Sequence, residues 1–379
     1  MALTIHKKDF FEIIQKAYPI VPSKSSLQIL LNFKLIFSPE SLEIVATDLD
    51  HSIKLKTPIT GEGEFEITVN AKKLFEIVRE LHDDNLTIDC DENVLTIESG
   101  GSFSCKISGA DTRDFPPFPE LENFNQIEIP LRNFKNMVTK SSFAVSRDEA
   151  RACLCGVFWK VEKGKMGMIA TDGHRLGCSF YSSDTGVDSD IGSIISPKSL
   201  IHLVRILDSE EVDDTISVAY GDKYIVFKSD SLTLCSKLID GPYPDYEKVI
   251  PGNNPKKAVI DKGILLEAVK RVSVLSNQKT HLVKFVFGKN ELEIVVMNRD
   301  IGGEARQVIP VDYDGEEHTI GFNALYFLEI LSIIKTSSIR LEMNTQISAC
   351  LLFPVYEDDK EKESDDLFLI MPLRILEEL

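Results

Sequence analysis

Six short amphipathic segments recur along the chain at a nearly constant spacing, and a chain that repeats one strand–helix unit six times can fold in few ways. Each carries apolar residues at i, i+3, i+4 and i+7, the spacing of one helix face. The sets are Phe10, Ile13, Ile14, Ala17; Leu74, Ile77, Val78, Leu81; Phe134, Met137, Val138 with the smaller Ser141; Leu200, Leu203, Val204, Leu207; Leu265, Ala268, Val269, Val272; and Phe327, Ile330, Leu331, Ile334. Their first residues lie 64, 60, 66, 65 and 62 positions apart. A short β-like stretch precedes each helix, as in Leu3–Ile5, Phe65–Val69, Ile127–Ile129, Ser193–Ile195, Ala258–Ile260 and Thr319–Gly321. Runs of alternating or β-branched residues such as Leu42–Ala46, Ser52–Lys56 and Val94–Glu98 fill the intervals. The unit is strand, helix, then about three strands.

A second landmark recurs at twice the period. Ala46-Thr47-Asp48-Leu49-Asp50, Ala170-Thr171-Asp172-Gly173-His174 and Val296-Met297-Asn298-Arg299-Asp300 each read as a turn after a strand. Two Pro-aromatic stretches, residues 114–119 and 241–246, cannot be central strands and read as linkers. The expectation is an α+β chain of three tandem domains, 1–124, 125–252 and 253–379, each a pseudo-two-fold pair of βαβββ units. The charged run 357–366 reads as a solvated loop.

Charge separates the repeated helices from the remainder. Over 7–18, 71–81, 131–140, 197–207, 261–271 and 323–335, fifteen Lys and Arg face seven Asp and Glu. The helices carry +8, so against a total of −18 the rest of the chain carries −26. Helix propensity does not explain the reversal, because Glu is as good a helix former as Lys. Helices sharing one surface would make that surface positive and suited to a polyanion such as duplex DNA. Seven cysteines at 90, 105, 153, 155, 178, 235 and 350 show no framework spacing and fit buried thiols in a reducing compartment. With no apolar run of membrane length and no apolar signal core near Met1, a cytoplasmic protein without membrane association is expected. No metal or cofactor motif is present, so neither is expected.

The run Ala170-Thr171-Asp172-Gly173-His174-Arg175-Leu176 is specific. With Asp148-Glu149-Ala150-Arg151, Lys237-Leu238-Ile239-Asp240-Gly241, Leu275-Ser276-Asn277 and Met371-Pro372-Leu373-Arg374, it makes the chain resemble the bacterial sliding clamps, the beta subunits of DNA polymerase III, over essentially its whole length. The resemblance implies a non-catalytic processivity factor: a head-to-tail homodimeric ring with helices lining a hole and antiparallel sheets outside. Implied partners are double-stranded DNA held without regard to sequence, the clamp loader, the replicative polymerase and other clamp-motif proteins.

The family's partner-peptide pocket maps to Leu154, Thr171, Gly173, His174, Arg175, Leu176, Pro244, Lys248, Val249, Leu369, Met371, Pro372, Leu373 and Arg374. Its DNA contacts map to Lys24, Lys72, Asp148 and the pair Ala152-Cys153, with Arg147 and Arg151 as neighbouring cations. Asp148 departs from the usual polar group, and Ala152-Cys153 lack the aromatic rings of some members. The ring joint maps to Val274 and Leu275 facing an edge strand at Lys106-Ile107. The tail Leu376–Leu379 runs beyond the family pattern, beside the pocket. Two other readings are a metal-dependent nuclease, using Asp48, Asp50, Asp172 and Asp300 with His174 as base, and a scaffold that binds proteins without encircling DNA.

Overall fold

The computed structural model describes residues 3–82, 84–119, 125–183, 186, 190–209, 214–299, 301–358 and 364–375. All six expected helices form: α1 (Lys7–Ala17), α2 (Ala71–Glu80), α3 (Leu131–Ser142), α4 (Pro197–Ile206), α5 (Lys262–Ser273) and α6 (Ala324–Ile333). Several start where the sequence supplies an N-terminal signal. The side chains of Asn70, Asp261 and Asn323 accept backbone N–H bonds from Lys73, Ile264 and Leu325, satisfying donors the helix itself cannot pair. Proline at the first position of α4 loses no helical bond there. Every helix buries most of its apolar face, from Phe10, Ile13, Ile14 and Ala17 in α1 to Phe327, Ile330 and Leu331 in α6, while Ile77 and Leu81 at α2 are only half-buried.

The strands form four antiparallel sheets, and contacts divide the chain into two compact units. The first unit comprises residues 1–132 and 198–238. It holds an eight-stranded sheet in which Leu232–Lys237 pairs with His51–Pro58, placing Leu234 opposite Ile53. It also holds a five-stranded sheet ending in Phe103–Ser108. The second unit comprises residues 133–197 and 239–379. Its eight-stranded sheet pairs Arg175–Ser182 with Asp365–Ile370, and its four-stranded sheet ends in Gly303–Pro310. Sheet pairing across the repeats therefore groups half of the central third with the first third and half with the last. The sequence repeats and the compact units are different partitions of one chain. In the second unit the core is aromatic: Phe285, Phe287, Phe322, Phe327 and Tyr313 lie within 4.9–6.4 Å of a neighbouring ring centroid. Among the described residues no helix is long and apolar enough to cross a membrane.

The charged run differs from its sequence reading. Residues 359–363 and the tail 376–379 lie outside the described residues. At the end of the run, Ser364 and Asp366 are buried, and Asp366 enters a strand instead of a solvated loop. Its carboxylate accepts from Lys140 Nζ at 2.7 Å and Ser179 Oγ at 2.7 Å. Lys140, counted above among the helix cations, is thereby turned into the protein instead of standing on an open basic face.

Candidate functional site

The Thr-Asp-Gly-His-Arg run folds as a closed turn after strand Lys165–Thr171. Asp172 Oδ1 accepts the backbone N–H groups of His174 and Arg175 at 2.8 and 3.0 Å. Thr171 Oγ1 donates to the Arg175 carbonyl at 2.7 Å and accepts from Gly173 N–H at 3.1 Å. Gly173 sits at φ +89°, where a side chain is strained. The first unit repeats this turn: Asp48 accepts from the backbone of Asp50 and His51, and Leu49 takes φ +77° without the advantage of glycine.

Leaving the turn, Leu176 pairs across the strands with Leu369. Both belong to a buried cluster with Ile169, Cys178, Tyr246, Ala349 and Leu351 on one sheet face. The linker at 241–250 lies on that face through Tyr243, Tyr246 and Ile250. Tyr243 stacks on Phe158 at 4.9 Å, and its hydroxyl accepts the Thr171 N–H at 3.1 Å. Burial pushes the phenols of Tyr243 and Tyr246 up, the latter to about 12, so both stay neutral hydrogen-bonding groups. Met371 donates its N–H to the His174 carbonyl at 2.7 Å, and Leu373 bridges to Gly321. The structure thus joins Thr171, Gly173, His174, Arg175, Leu176, Leu369 and Met371 through direct bonds and strand pairs. Of the other mapped residues, Leu154 is buried, while Val249 and Met371 are 54 % and 37 % exposed. The exposed Met371 after the paired Leu176 and Leu369 gives an adaptable apolar surface.

Arg175 occupies a different place from the one a cleft-rim cation would take. It is buried, paired with Asp172 at 3.1 Å and with Glu329, and its guanidinium lies over the rings of Tyr326 at 4.4 Å and Phe143 at 5.4 Å. It braces the turn against α6 and is not a free rim charge. Lys248 is likewise engaged, with Asp245 at 2.9 Å. Tyr326, which also faces the His174 ring at 6.4 Å, and the linker residue Tyr243 are site residues that sequence reasoning missed. Tyr326 sits next to the core residue Phe327 on its helix, so periodicity gives it no distinguishing mark.

The mapped DNA residues fall in both units. Lys24 and Lys72 are exposed in the first, with Lys72 3.9 Å from Glu76. In the second, Arg147, Asp148, Arg151 and Ala152 are exposed on the 3-10 segment Glu149–Cys155 and its approach, and Cys153 is half-buried. Arg151 is already paired with Asp148 at 3.0 Å.

The carboxylates of the nuclease reading have structural partners of their own. Burial alone would raise the Asp48 carboxyl, but hydrogen bonds from His51 and Lys198 outweigh it and hold the group far below the usual carboxylate range. Asp172 is taken up by its turn and Arg175. Among the described residues no three His, Cys, Asp or Glu side chains are grouped to hold a metal ion; Asp300 lies outside them.

Comparison with known proteins decides the family. Sequence models described as the N-terminal, central and C-terminal domains of the DNA polymerase III beta subunit match residues 1–119, 128–245 and 247–372. The beta sliding clamp of Pseudomonas aeruginosa is 30% identical over 379 residues, covering 99% of this chain and all of that one. The chain belongs to the beta sliding clamp family. Among solved clamps, those of Pseudomonas aeruginosa and Bartonella birtlesii, each bound to griselimycin, superpose with TM-scores of 0.92 and 0.91 at 28% identity. Each comparison covers 99% of this chain and 100% of the other. The fold is accordingly three beta-clamp domains, and the family is one of non-catalytic factors for DNA polymerase III, which excludes the nuclease reading.

Proposed function

We propose that two copies of this chain close head to tail into a ring that encircles duplex DNA and tethers the polymerase, the clamp loader and other clamp-motif proteins through the Leu176–Leu369 cleft. The single observation that carries the reading is an unmatched pair of ends. Strands His51–Pro58 and Arg175–Ser182 each pair with a strand from another repeat. Their counterpart Gly303–Pro310 ends its sheet, as does Phe103–Ser108, the counterpart of the strands that complete the other two. Unpaired edges are a liability that ring closure removes.

The side chains tell the same story. In α4 and α6, Leu203, Leu207, Ile330 and Ile334 are buried. Their counterparts Ile77 and Leu81 instead line an open cavity of about 690 Å³ with Phe103, beside the free edge. Val274, just after α5, is 79 % exposed. A knob of Val274 and Leu275 from one copy fits the apolar hole of the next, with Lys106 and Ile107 on the adjoining strand.

In this reading the three domains are 1–124, 125–252 and 253–379, and their helices face a common axis. Lys24, Lys72, Arg147 and Arg151 touch phosphates, with Asp148, Ala152 and Cys153 nearby. Phosphate contacts position DNA without reading sequence, so the ring slides. The cleft takes a hydrophobic peptide over Leu154, Leu176, Val249, Leu369 and Met371. Thr171, Gly173, His174, Arg175, Pro244, Lys248, Pro372, Leu373 and Arg374 shape it, in a cytoplasmic protein.

Retention on DNA of different topology tests the proposal. Protein placed on a nicked circle by a clamp loader should stay bound through gel filtration in high salt and be lost after the circle is cut once. Equal retention on circle and line would reject encirclement.

A further inference from the structure

Arg151 ties the 148–155 segment to the cleft turn. Its Nε donates to Asp148 Oδ2 at 3.0 Å, and its Nη2 reaches the carbonyl of Asp172 at 3.4 Å. Its Nη1 lies 3.4 Å from where a Cβ on Gly173 would stand. The segment is itself closed locally: Arg151 N–H donates to the Asp148 carbonyl at 3.0 Å, and Ser146 N–H to the Leu154 carbonyl at 2.8 Å. Within it Arg151 leaves helical geometry, at φ −117° and ψ 63°. Half of its side chain remains exposed, so a ligand can reach the guanidinium.

We infer that Arg151 is a positioning residue that couples the two sites, so that a DNA phosphate on Arg151 weakens binding in the cleft. The inference rests on the DNA and cleft assignments proposed above. Of the two bonds the Arg151 guanidinium makes, the one to the Asp148 carboxylate is charge-assisted, while the one to Asp172 is long and ends on a neutral carbonyl. A phosphate makes short, charge-assisted, bidentate bonds with a guanidinium, so the Asp172 carbonyl is the contact it displaces first.

That carbonyl belongs to the peptide plane between Asp172 and Gly173. Rotation of such a plane interconverts turn types, and glycine on its C-terminal side accepts either sign of φ without steric cost. The turn is therefore a two-state element that Arg151 biases. What it carries is the cleft: His174 holds the backbone of Met371, and Arg175 meets Tyr326 and Glu329. Losing the Arg151 bond shifts the turn from the arrangement that holds Met371 beside Leu369. Coupling of this kind is reciprocal, so a cleft ligand weakens the duplex by the same factor.

Griselimycin, which two similar clamps bind and which is taken here as the cleft ligand, and a short blunt duplex, at low ionic strength with the full-length protein, are the probes. Titration of griselimycin should give a Kd about fivefold weaker with saturating duplex than without, a coupling at the small end of the usual range. Duplex affinity should fall by the same factor when griselimycin saturates. Arg151→Lys cannot bridge Asp148 and Asp172, so at saturating duplex it should show a factor near one; Arg151→Gln should also lose the coupling. Equal griselimycin affinity in the wild type with and without duplex overturns the inference, as does an undiminished factor in both variants. A wild-type protein that binds no griselimycin refutes the cleft assignment, and one that binds no duplex refutes the DNA assignment; either result takes the coupling with it.

Discussion

Phe143 rests against Phe368, ring centroids 6.0 Å apart, at the seam where strand Arg175–Ser182 pairs with Asp365–Ile370. Val274 holds the corresponding place after α5 and stands almost fully exposed. Burying an aliphatic side chain of this size stabilises a contact by about 1.5–3 kcal/mol. Replacing both Val274 and Leu275 with Ala should weaken each ring joint by about two orders of magnitude. Light scattering should then report close to 42.5 kDa, the mass of one chain, where the wild type reports twice that. An unchanged dimer would place the joint elsewhere.

The register of that joint follows from the seams already formed. Ile53 stands opposite Leu234, and Gly177 opposite Phe368. The spacing of the Asp48 and Asn298 turns, and of Phe115-Pro116 and Tyr243-Pro244, carries Ile53 to Gly303 and Leu234 to Lys106. The bonds Lys56 N–H to Ser231 and Lys237 N–H to Asp50 make Ile53–Leu234 a non-hydrogen-bonded pair, the class with closer side chains. Lys106→Cys combined with Gly303→Cys should therefore give a reducible dimer on a denaturing gel, whereas Lys106→Cys with Ala305→Cys should not. The reverse pattern would shift the register by two residues.

Arg175 is a structural cation, and its removal should register in stability. Breaking a buried ion pair by deleting one partner costs about 3–5 kcal/mol. Glu329 is half exposed, so water recovers part of that loss, and Arg175→Met should cost about 2–3 kcal/mol. Urea unfolding should show the transition of the second unit moved to lower denaturant. A variant as stable as the wild type would mean that the Tyr326 and Phe143 rings, with Asp172, contribute little through Arg175.

Much of this architecture was legible because it repeats. Each helix carries its own apolar spacing and four carry an N-terminal side-chain cap, so the positions of Phe10 or Leu265 follow from local spacing. The Thr171–Arg175 turn was legible for the same reason, since Asp172 satisfies its neighbours' N–H groups within three residues. What stayed hidden joins residues far apart in sequence. Lys140 finds Asp366 more than two hundred positions away, and the pair turns a counted surface cation toward a buried carboxylate. A separation of about 150 positions likewise hid Tyr326 and Glu329 as partners of Arg175. The compact units were illegible too, because two sheets with similar strand patterns differ only in which edge another repeat covers.

His202 on α4 gives the first unit an acid-side weakness. It is buried, its Nε2 has no hydrogen-bond partner among the described residues, and its ring is bonded to the Lys16 backbone. Burial lowers it from 6.5 to about 4, helped by Arg205, Lys198 and His51 around it. The folded protein therefore resists a proton that the unfolded chain accepts. Above pH 6.5 neither state is protonated and nothing is lost. As pH falls toward 4 the unfolded state gains protons alone, and stability declines by up to about 3 kcal/mol. His318, lowered by burial and by Lys256, acts in the same direction in the other unit. Asp48, held low, loses its contribution only below the ordinary carboxylate range, in a separate window. His202→Gln stays neutral throughout, so the urea midpoint of the first unit should fall less between pH 6.5 and 4.5 than in the wild type. Parallel curves for the two proteins would mean that His202 accepts its proton in the folded state.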